Sequence, residues 1–281
     1  MDVAAGLRGM DLVALAVARG GHIAEVTLLG PGKGNAMGPD FWRELPVVFR
    51  ALDADPEVRA VVLAGGGDTF SYGLDLPAML PRWSEALAEG ALAGPRTRLL
   101  DEIRGMQAAV DSVAACRKPV IAAISGWCIG AALDVAAAAD VRLASSDARF
   151  SVREVKVAIV ADLGSLQRLA GIIGEGHLRE LAFTGKDIDA QRAQRIGLVN
   201  DVHPEPAAAL DAARALAAEI AQNPPLVVQG VKDVLGCARQ AWVAQGLRYV
   251  AAWNAAFLPS EDLAEAMAAF RERRPGRFTG R

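Results

Sequence analysis

The side chains best suited to chemistry in this sequence are the carboxyl groups of Asp134, Glu154 and Asp162. Asp134 is the only charged residue within residues 119–139, so we expect it to be buried or to face a cleft. Burial without a partner raises the pKa of a carboxyl group, which suits it to proton transfer. Taken alone, Asp134 also fits a core residue that caps nearby backbone, Glu154 an exposed strand residue and Asp162 a helix N-cap.

The segment that carries Asp134 also offers main-chain donors. Residues 120–124 are predicted as a buried strand, Gly126 as a turn and residues 130–139 as a buried helix. The first turn of a helix leaves its N–H groups unpaired, and the helix dipole favours negative charge there. The sequence therefore predicts amide groups that are able to bind a developing negative charge.

Other site types find little support in the glycine, cysteine and histidine patterns. The Gly-Pro-Gly-Lys-Gly loop at 30–34 lacks P-loop spacing, and Phe70 stands where the third glycine of a dinucleotide fingerprint would fall. The three cysteines form no Cys-x-x-Cys pair, and the three histidines are scattered. We therefore predict reduced thiols in a cytoplasmic protein, with no metal site and no Ser-His-Asp triad.

Composition bounds the class of protein and its partners. A chain of 281 residues with 52% hydrophobic residues is large enough for a sizeable core and is not disordered. Its net charge of -3 predicts no nucleic-acid partner. A membrane span over 119–139 is the alternative for the apolar segment, but the central Asp134 and the Ser125-Gly126 break favour a strand followed by a helix. No targeting segment is evident.

Strands and helices alternate through the first two thirds of the chain, which is typical of an α/β fold. Strands are predicted at 23–29, 58–64, 120–124 and 141–144, and helices at 39–52, 96–115, 130–139 and 162–173. Asp162 is the expected N-cap of the last of these helices, and Pro46 is a possible kink or break in the first. From residue 205 to 273 the chain is predicted to be helical, with breaks at Pro224-Pro225 and Pro259.

Several motifs occur together in a specific order. They are Asn-Ala-Met at 35–37, Phe-x-x-Gly-x-Asp-Leu at 70–76, Lys-Pro-Val-Ile-Ala-Ala-x-x-Gly at 118–126, and the segment from Ser260 to the C-terminal Phe-Thr-Gly-Arg. This ordered set resembles the signature blocks of the crotonase (enoyl-CoA hydratase/isomerase) superfamily over roughly residues 20–281. The resemblance implies a crotonase spiral of ββα units over residues 1–200. It also implies a helical trimerisation region over residues 201–281.

Within the superfamily, the chain looks most like the dienoyl-CoA isomerases. The similar stretches are Glu-Val-x-Val at 154–157, Ala-Asp-Leu-Gly-Ser-Leu-Gln-Arg-Leu at 161–169 and Tyr-Val-Ala-Ala-Trp-Asn at 249–254. These enzymes carry an Asp, a Glu and an Asp at the separations of Asp134, Glu154 and Asp162. The resemblance implies that Glu154 is the base at C2 of the acyl chain, that Asp162 is the acid at C6 and that Asp134 orients or tunes them.

The resemblance also implies an oxyanion hole made by the N–H groups of Tyr72 and Ala131. Tyr72 stands where a small residue is common in the family, and Ala131 stands where Gly is common. Lys33 and Arg273, with Arg274, are candidates to meet the CoA phosphates, and ordinary surface charge is the alternative. The full set of predicted substrate-binding residues is Lys33, Ala36, Gly73, Asp75, Gly130 and Arg273.

The function that this resemblance implies is isomerisation of 3,5-dienoyl-CoA to 2,4-dienoyl-CoA by a homotrimer or a dimer of trimers. Acyl-CoA is then the substrate, without a metal or redox cofactor and without a nucleic-acid or membrane partner. The first alternative is an enoyl-CoA hydratase or a 3,2-enoyl-CoA isomerase, although hydratases have a Glu at the position of Asp134. The second is a non-catalytic acyl-CoA-binding protein, which the departures at Tyr72 and Ala131 make conceivable.

Overall fold

The computed structural model describes residues 5–7, 9–30 and 33–281 of the chain. The strands of this part are β1 Leu15–Gly20, β2 Ile23–Leu28, β3 Ala60–Gly65, β4 Val120–Ile124, β5 Trp127–Ile129, β6 Val141–Ser145, β7 Arg149–Ser151, β8 Ile188–Asp189 and β9 Asp201–His203. Short 3₁₀ turns lie at Ala5–Leu7, Leu80–Trp83 and Glu154–Val157.

Helices fill most of the remaining chain. Those of the first 200 residues are α1 Pro39–Ala54, α2 Leu76–Met79, α3 Ser84–Leu87, α4 Ala93–Ala115, α5 Ala131–Ala138, α6 Ser165–Arg168, α7 Ala170–Ile173, α8 Glu175–Thr184 and α9 Ala190–Arg195. The C-terminal region contains α10 Pro206–Ala221, α11 Pro225–Phe257 and α12 Glu261–Glu272.

A six-stranded sheet in the order β1-β2-β3-β4-β6-β9 forms the centre of the fold. The β1–β2 pair is antiparallel, and the other neighbouring strands are parallel. The side chains of β3 and β4 are buried on both faces, as expected for aliphatic strands in a parallel sheet. One face packs in the main core with α1, α4 and α5, and the other packs against Ala213 and Ala217 of α10.

A second, three-stranded sheet brings two loops to the same place. Its order is β5-β7-β8, and β5 and β7 run parallel with Ile129 opposite Ser151. Parallel neighbours end at the same edge of a sheet, so the residues after β5 and after β7 lie side by side. The amide of Gly130 donates to the carbonyl of Ser151 at 3.1 Å. This pairing sets the start of α5 against the turn that begins at Glu154.

The C-terminal helices follow the predicted breaks. Pro224-Pro225 separates α10 from α11, and Pro259 lies between α11 and α12. Helix α11 packs on α4 and α6, and α12 packs on the Glu154–Val157 turn. Helix α10 packs against the central sheet, so the C-terminal region is in contact with the first 200 residues. The division of the chain into two regions at residue 200 stays a prediction. Among the helices of the described chain, none is long and apolar enough to span a membrane.

Two predictions of secondary structure need correction, and one strand was missed. The single helix expected over 162–173 is two short helices, α6 and α7, and its N-cap is Gly164, not Asp162. Pro46 does not break α1, which continues to Ala54. The antiparallel edge strand β1 was not predicted, because its Ala and Arg residues give no clear strand pattern.

Candidate active site

Glu154 is the first residue of the Glu154–Val157 turn and follows the end of β7 by three positions. A Cβ atom built on Gly130 would lie 3.6 Å from Glu154 Oε1, so the carboxyl group faces the start of α5. Glu154 Oε2 is buried and has no hydrogen-bond partner within the described residues. Burial, followed by repulsion from Asp134 and Asp162, raises the pKa of Glu154 well above its ordinary value. Such a carboxyl group is a strong candidate for a proton acceptor.

The start of α5 presents an amide next to Glu154. Gly130 is the N-cap of α5 with φ of 57°, a conformation that glycine adopts without strain. The amides of Leu133 and Asp134 already bond to the carbonyl of Gly130. The Ala131 amide donates no backbone hydrogen bond in the part of the chain that the structure describes. It is therefore available to bind an oxygen, and its place in an oxyanion hole stays a prediction.

The partner amide differs from the predicted one. The Tyr72 N–H donates to the carbonyl of Gly34 at 2.8 Å, so it is not available to a substrate. The Gly73 carbonyl and the Asp75 amide both bond to Met37, which leaves the intervening Leu74 amide pointing away from that segment. No backbone hydrogen bond from Leu74 N–H is present in the described structure. The predicted Tyr72 amide is therefore already occupied, and the Leu74 amide is the candidate in its place.

Gly73 holds this loop against the start of α5. Its φ is 81°, and a Cβ atom there would meet the carbonyl oxygen of Ile129 and lie 3.1 Å from the amide nitrogen of Ala131. Only a glycine permits both this conformation and this close approach. Because Gly73 has no side chain, the loop that carries Gly73 and Leu74 can lie directly against the Ala131 amide.

Asp134 lies one turn into α5 and is 1% exposed. Its Oδ1 accepts a hydrogen bond from the amide of Ser165, and its Oδ2 has no partner among the described residues. Burial raises its pKa to about 6, against the lowering effects of the Ser165 hydrogen bonds and of the Arg168 guanidinium. Asp134 thus connects the Gly130 end of α5 to Ser165, the first residue of α6.

Asp162 lies in the loop that precedes α6, three residues before Ser165. Its Oδ2 accepts a hydrogen bond from Asn254 Nδ2 at 2.7 Å, and its carbonyl accepts one from Gln107 Nε2 at 2.7 Å. Burial raises the pKa of Asp162 to about 7, with a further increase from the charge of Asp134, while the Asn254 hydrogen bond lowers it. The side chain therefore titrates close to neutral pH.

The three carboxyl groups influence one another. The charge of Asp134 raises the pKa of both Glu154 and Asp162, and the charge of Asp162 also raises that of Glu154. Mutual repulsion in a buried site disfavours full ionisation of the group. The arrangement combines two amides that lack backbone partners among the described residues with three carboxyl groups whose pKa values are all raised, to about 6 for Asp134 and about 7 for Asp162. Such groups are suited to moving protons on a carbon acid.

The predicted binding residues occupy different environments. Lys33 is exposed, and Ala36 is half-buried next to Asn35, whose side chain donates to the carbonyls of Gly66 and Thr69 at 2.8 Å. Asp75 is the N-cap of α2, where its side chain accepts from the amide of Ala78 at 3.1 Å. This cap gives Asp75 a structural role in the loop.

Arg273 is exposed at the C-terminal end of α12. The neighbouring Arg274 pairs with Glu265 and Glu272, so its charge is already compensated within the chain. Contact of Arg273 or Lys33 with a CoA phosphate stays a prediction. Within the described residues, no group of three His, Cys, Asp or Glu side chains is arranged to hold a metal ion.

The sequence interpretation missed three residues of this site. The Leu74 amide was missed because its availability depends on which main-chain partners its neighbours take. Gln107 and Asn254 were not predicted as site residues because they lie on α4 and α11, far from Asp162 in sequence. The only signal for Asn254 was its place at the end of the Tyr249–Asn254 stretch.

Comparison with known proteins identifies the family. A model of the family "Enoyl-CoA hydratase/isomerase" matches residues 18–281. A solved enoyl-CoA hydratase/isomerase from Pseudoalteromonas atlantica T6c superimposes with a TM-score of 0.82, covering 95% of this chain and all of that chain. At 24% identity, this similarity shows the α/β crotonase fold alone.

Two curated relatives are more similar in sequence. The mitochondrial Delta(3,5)-Delta(2,4)-dienoyl-CoA isomerase of Dictyostelium discoideum is 44% identical over 252 residues, which cover 90% of this chain and 86% of that protein. The peroxisomal protein of the same name from Arabidopsis thaliana is 40% identical over 248 residues, covering 88% and 89%. The chain therefore belongs to the enoyl-CoA hydratase/isomerase (crotonase) family and is an enzyme of its dienoyl-CoA isomerase-like branch.

Proposed function

We propose that this enzyme converts 3,5-dienoyl-CoA to 2,4-dienoyl-CoA by moving a proton from one end of the diene system to the other. The observation that carries the proposal is the cluster of Asp134, which is buried, with the half-buried Glu154 and Asp162, beside the Ala131 amide at the start of α5. Family membership implies an acyl-CoA substrate, and the two relatives support the choice of a dienoyl chain.

The thioester oxygen would accept hydrogen bonds from the amides of Ala131 and Leu74. Negative charge develops on this oxygen when the neighbouring carbon loses a proton, so donors that are already fixed in place favour the transition state. Loss of one such donor typically costs about 2.7–4 kcal/mol of barrier, or about 10²–10³ in rate. The dipole of α5 adds to this effect because the helix begins at Ala131.

Two carboxyl groups then move the protons. Glu154 takes a proton from C2, and the electron pair of that C–H bond enters the conjugated system as a trienolate. Asp162 gives its proton to C6, and the double bonds settle at C2–C3 and C4–C5, conjugated with the thioester. Glu154 ends the turnover protonated and Asp162 ionised, so proton exchange must restore both. Asp134, whose charge raises the pKa of both groups, favours a state in which protons are retained.

A panel of acyl-CoA substrates tests the proposal. A 3,5-dienoyl-CoA should gain the absorbance of a conjugated dienoyl thioester without a change in mass. Addition of water to a 2-enoyl-CoA, seen as a mass increase, would instead identify a hydratase, and movement of a lone 3-ene would identify a 3,2-enoyl-CoA isomerase. Tight binding of CoA esters without turnover of any of them would identify a non-catalytic protein. Each of the last three results would overturn the proposal.

The assembly and location are proposals of the same kind. Helix α11 exposes Tyr249, Trp253 and Phe257 in a row of neighbouring, mutually tilted rings, with Val234 and Leu235 exposed nearer its start. Exposed apolar surface of this extent supports the proposed trimer or dimer of trimers, in which such faces would be covered. Light scattering of the purified protein measures the assembly. The cytoplasmic location also stays a prediction, and the two relatives are named for the mitochondrion and the peroxisome.

A further inference from the structure

Asn254 is a buried polar residue to which the proton-transfer steps above assign no role. It lies on α11, is 2% exposed and is more than 90 positions from the loop it contacts. A buried amide needs partners for its polar atoms, because an unpaired group loses its hydration without compensation. The partners of Asn254 are therefore informative about why it is there.

Both hydrogens of the Asn254 amide are used on a single loop. Nδ2 donates to the carbonyl of Val160 at 2.8 Å and to Asp162 Oδ2 at 2.7 Å. Rotation of the amide by half a turn would place its oxygen against two acceptors, so the orientation has one favourable state. The residue thus holds the main chain at Val160 and one carboxyl oxygen of Asp162 at the same time.

We infer that Asn254 is a positioning residue that reserves Asp162 Oδ2 for itself and leaves Oδ1 as the oxygen that exchanges a proton with the substrate. This inference rests on the proposed function. A carboxyl group that carries its proton on Oδ1 keeps Oδ2 as an acceptor, which matches the donor that Asn254 provides. The same hydrogen bond strengthens in the ionised state, so Asn254 also helps Asp162 to release its proton.

Gln107 supplies a matched control on the same loop. Its Nε2 donates to the carbonyl of Asp162 at 2.7 Å and to the carbonyl of Leu247 on α11 at 3.0 Å. It is 6% exposed, so it is buried like Asn254. Gln107 therefore anchors the main chain at Asp162 without touching the carboxyl group. If both residues had a purely structural role, replacing either one would change the pKa of Asp162 and kcat to a similar extent.

The test compares Asn254→Leu, Asn254→Asp and Gln107→Met with the wild type. Both changes at Asn254 remove the neutral donor to Oδ2, so the pKa of Asp162 should rise in each, by up to about two pH units for loss of a hydrogen bond to a charged group. Gln107→Met should leave the pKa of Asp162 unchanged. The carboxyl stretch of Asp162, isolated in infrared spectra by subtraction of Asp162→Asn, measures the titration without substrate.

Turnover supplies the second readout. With Asn254→Leu, kcat for the dienoyl-CoA should fall about 10- to 100-fold, the size typical for loss of a hydrogen bond to a charged group, while deuterium exchange at C2 persists. Near-wild-type melting temperatures and circular dichroism would show that the variants fold. An unchanged Asp162 titration in both Asn254 variants, or an equal shift in Gln107→Met, would overturn the inference. A wild type that does not isomerise dienoyl-CoA would refute the proposed function, while the infrared titration would still decide whether Asn254 sets the state of Asp162.

Discussion

Replacement of Asp162 by asparagine should stop isomerisation and stabilise the folded protein at the same time. The amide has nearly the same shape as the carboxyl group, and its oxygen can still accept the hydrogen bond from Asn254. It has no proton to give to C6 of the substrate. We therefore expect isomerisation to be lost while solvent-deuterium exchange at C2, which needs only Glu154 and the amides, continues.

The gain in stability follows from the pKa of Asp162. This pKa rises from 3.8 to about 7 on folding, mainly through burial. The folded state binds the proton more tightly than the unfolded chain does, so the stabilising contribution is complete below pH 3.8 and is lost as the pH rises through about 7. At about 1.36 kcal/mol for each pH unit, the ionised group lowers the free energy of unfolding by up to ~4 kcal/mol. Residual contact with solvent makes ~2 kcal/mol a reasonable lower value.

Denaturant unfolding at fixed protein concentration measures this effect. Asp162→Asn should unfold at higher denaturant than the wild type at about pH 8, and the difference should shrink towards about pH 4. Asp233→Asn on the exposed side of α11 is the control and should change neither stability nor turnover. Equal stability of Asp162→Asn and the wild type at about pH 8 would refute the burial argument. Near-normal isomerisation by the variant would refute the role of Asp162 as acid.

Three further outcomes test the remaining parts of the site. Glu154→Gln should lower solvent-deuterium exchange at C2, followed by NMR, by about 10²–10⁴-fold, and unchanged exchange would remove Glu154 as the base. Asp134→Ala should reduce kcat less than Glu154→Gln does, and the opposite order would contradict the division of roles. Gly73→Ala should reduce kcat by about 10²–10³-fold with native circular dichroism, because its Cβ meets the Ile129 carbonyl beside the Ala131 amide. Normal kcat in this variant would mean that the loop that carries Gly73 and Leu74 does not form the oxyanion site.

Elements with a long, uniform pattern were predictable from the sequence. The aliphatic strands β3 and β4 and the helical C-terminal region with its two proline breaks agree with the structure. These segments are buried on both faces or bounded by proline, so local chemistry decides their conformation. Short strands such as β8 depend on pairing with a neighbour, and their residues show no pattern of their own.

Features of the site were predictable where the type of a single residue decides its burial or its backbone conformation. Asp134 is buried as its apolar surroundings imply, and Gly130 begins α5 in a conformation that suits glycine. The Tyr72 amide was predicted wrongly because a hydrogen bond to Gly34, far along the chain, decides its availability. Asp162 is not an N-cap, because its side chain bonds to Asn254 on a distant helix. Partners separated by many residues are set by tertiary packing, which single-sequence patterns do not contain.

The three carboxyl groups together explain how one site holds a base and an acid at the same pH. Isomerisation needs Glu154 ionised while Asp162 is protonated. Burial and mutual repulsion raise the pKa of both, with Asp134 contributing to each, so a fully ionised cluster is disfavoured near neutral pH. The three carboxyl groups therefore keep at least one proton among them. The cluster can then hold one ionised carboxylate and one protonated carboxyl group at the same time. The folded protein is less stable above neutral pH for the same reason, so neutral amides at these positions should give a more stable and inactive enzyme.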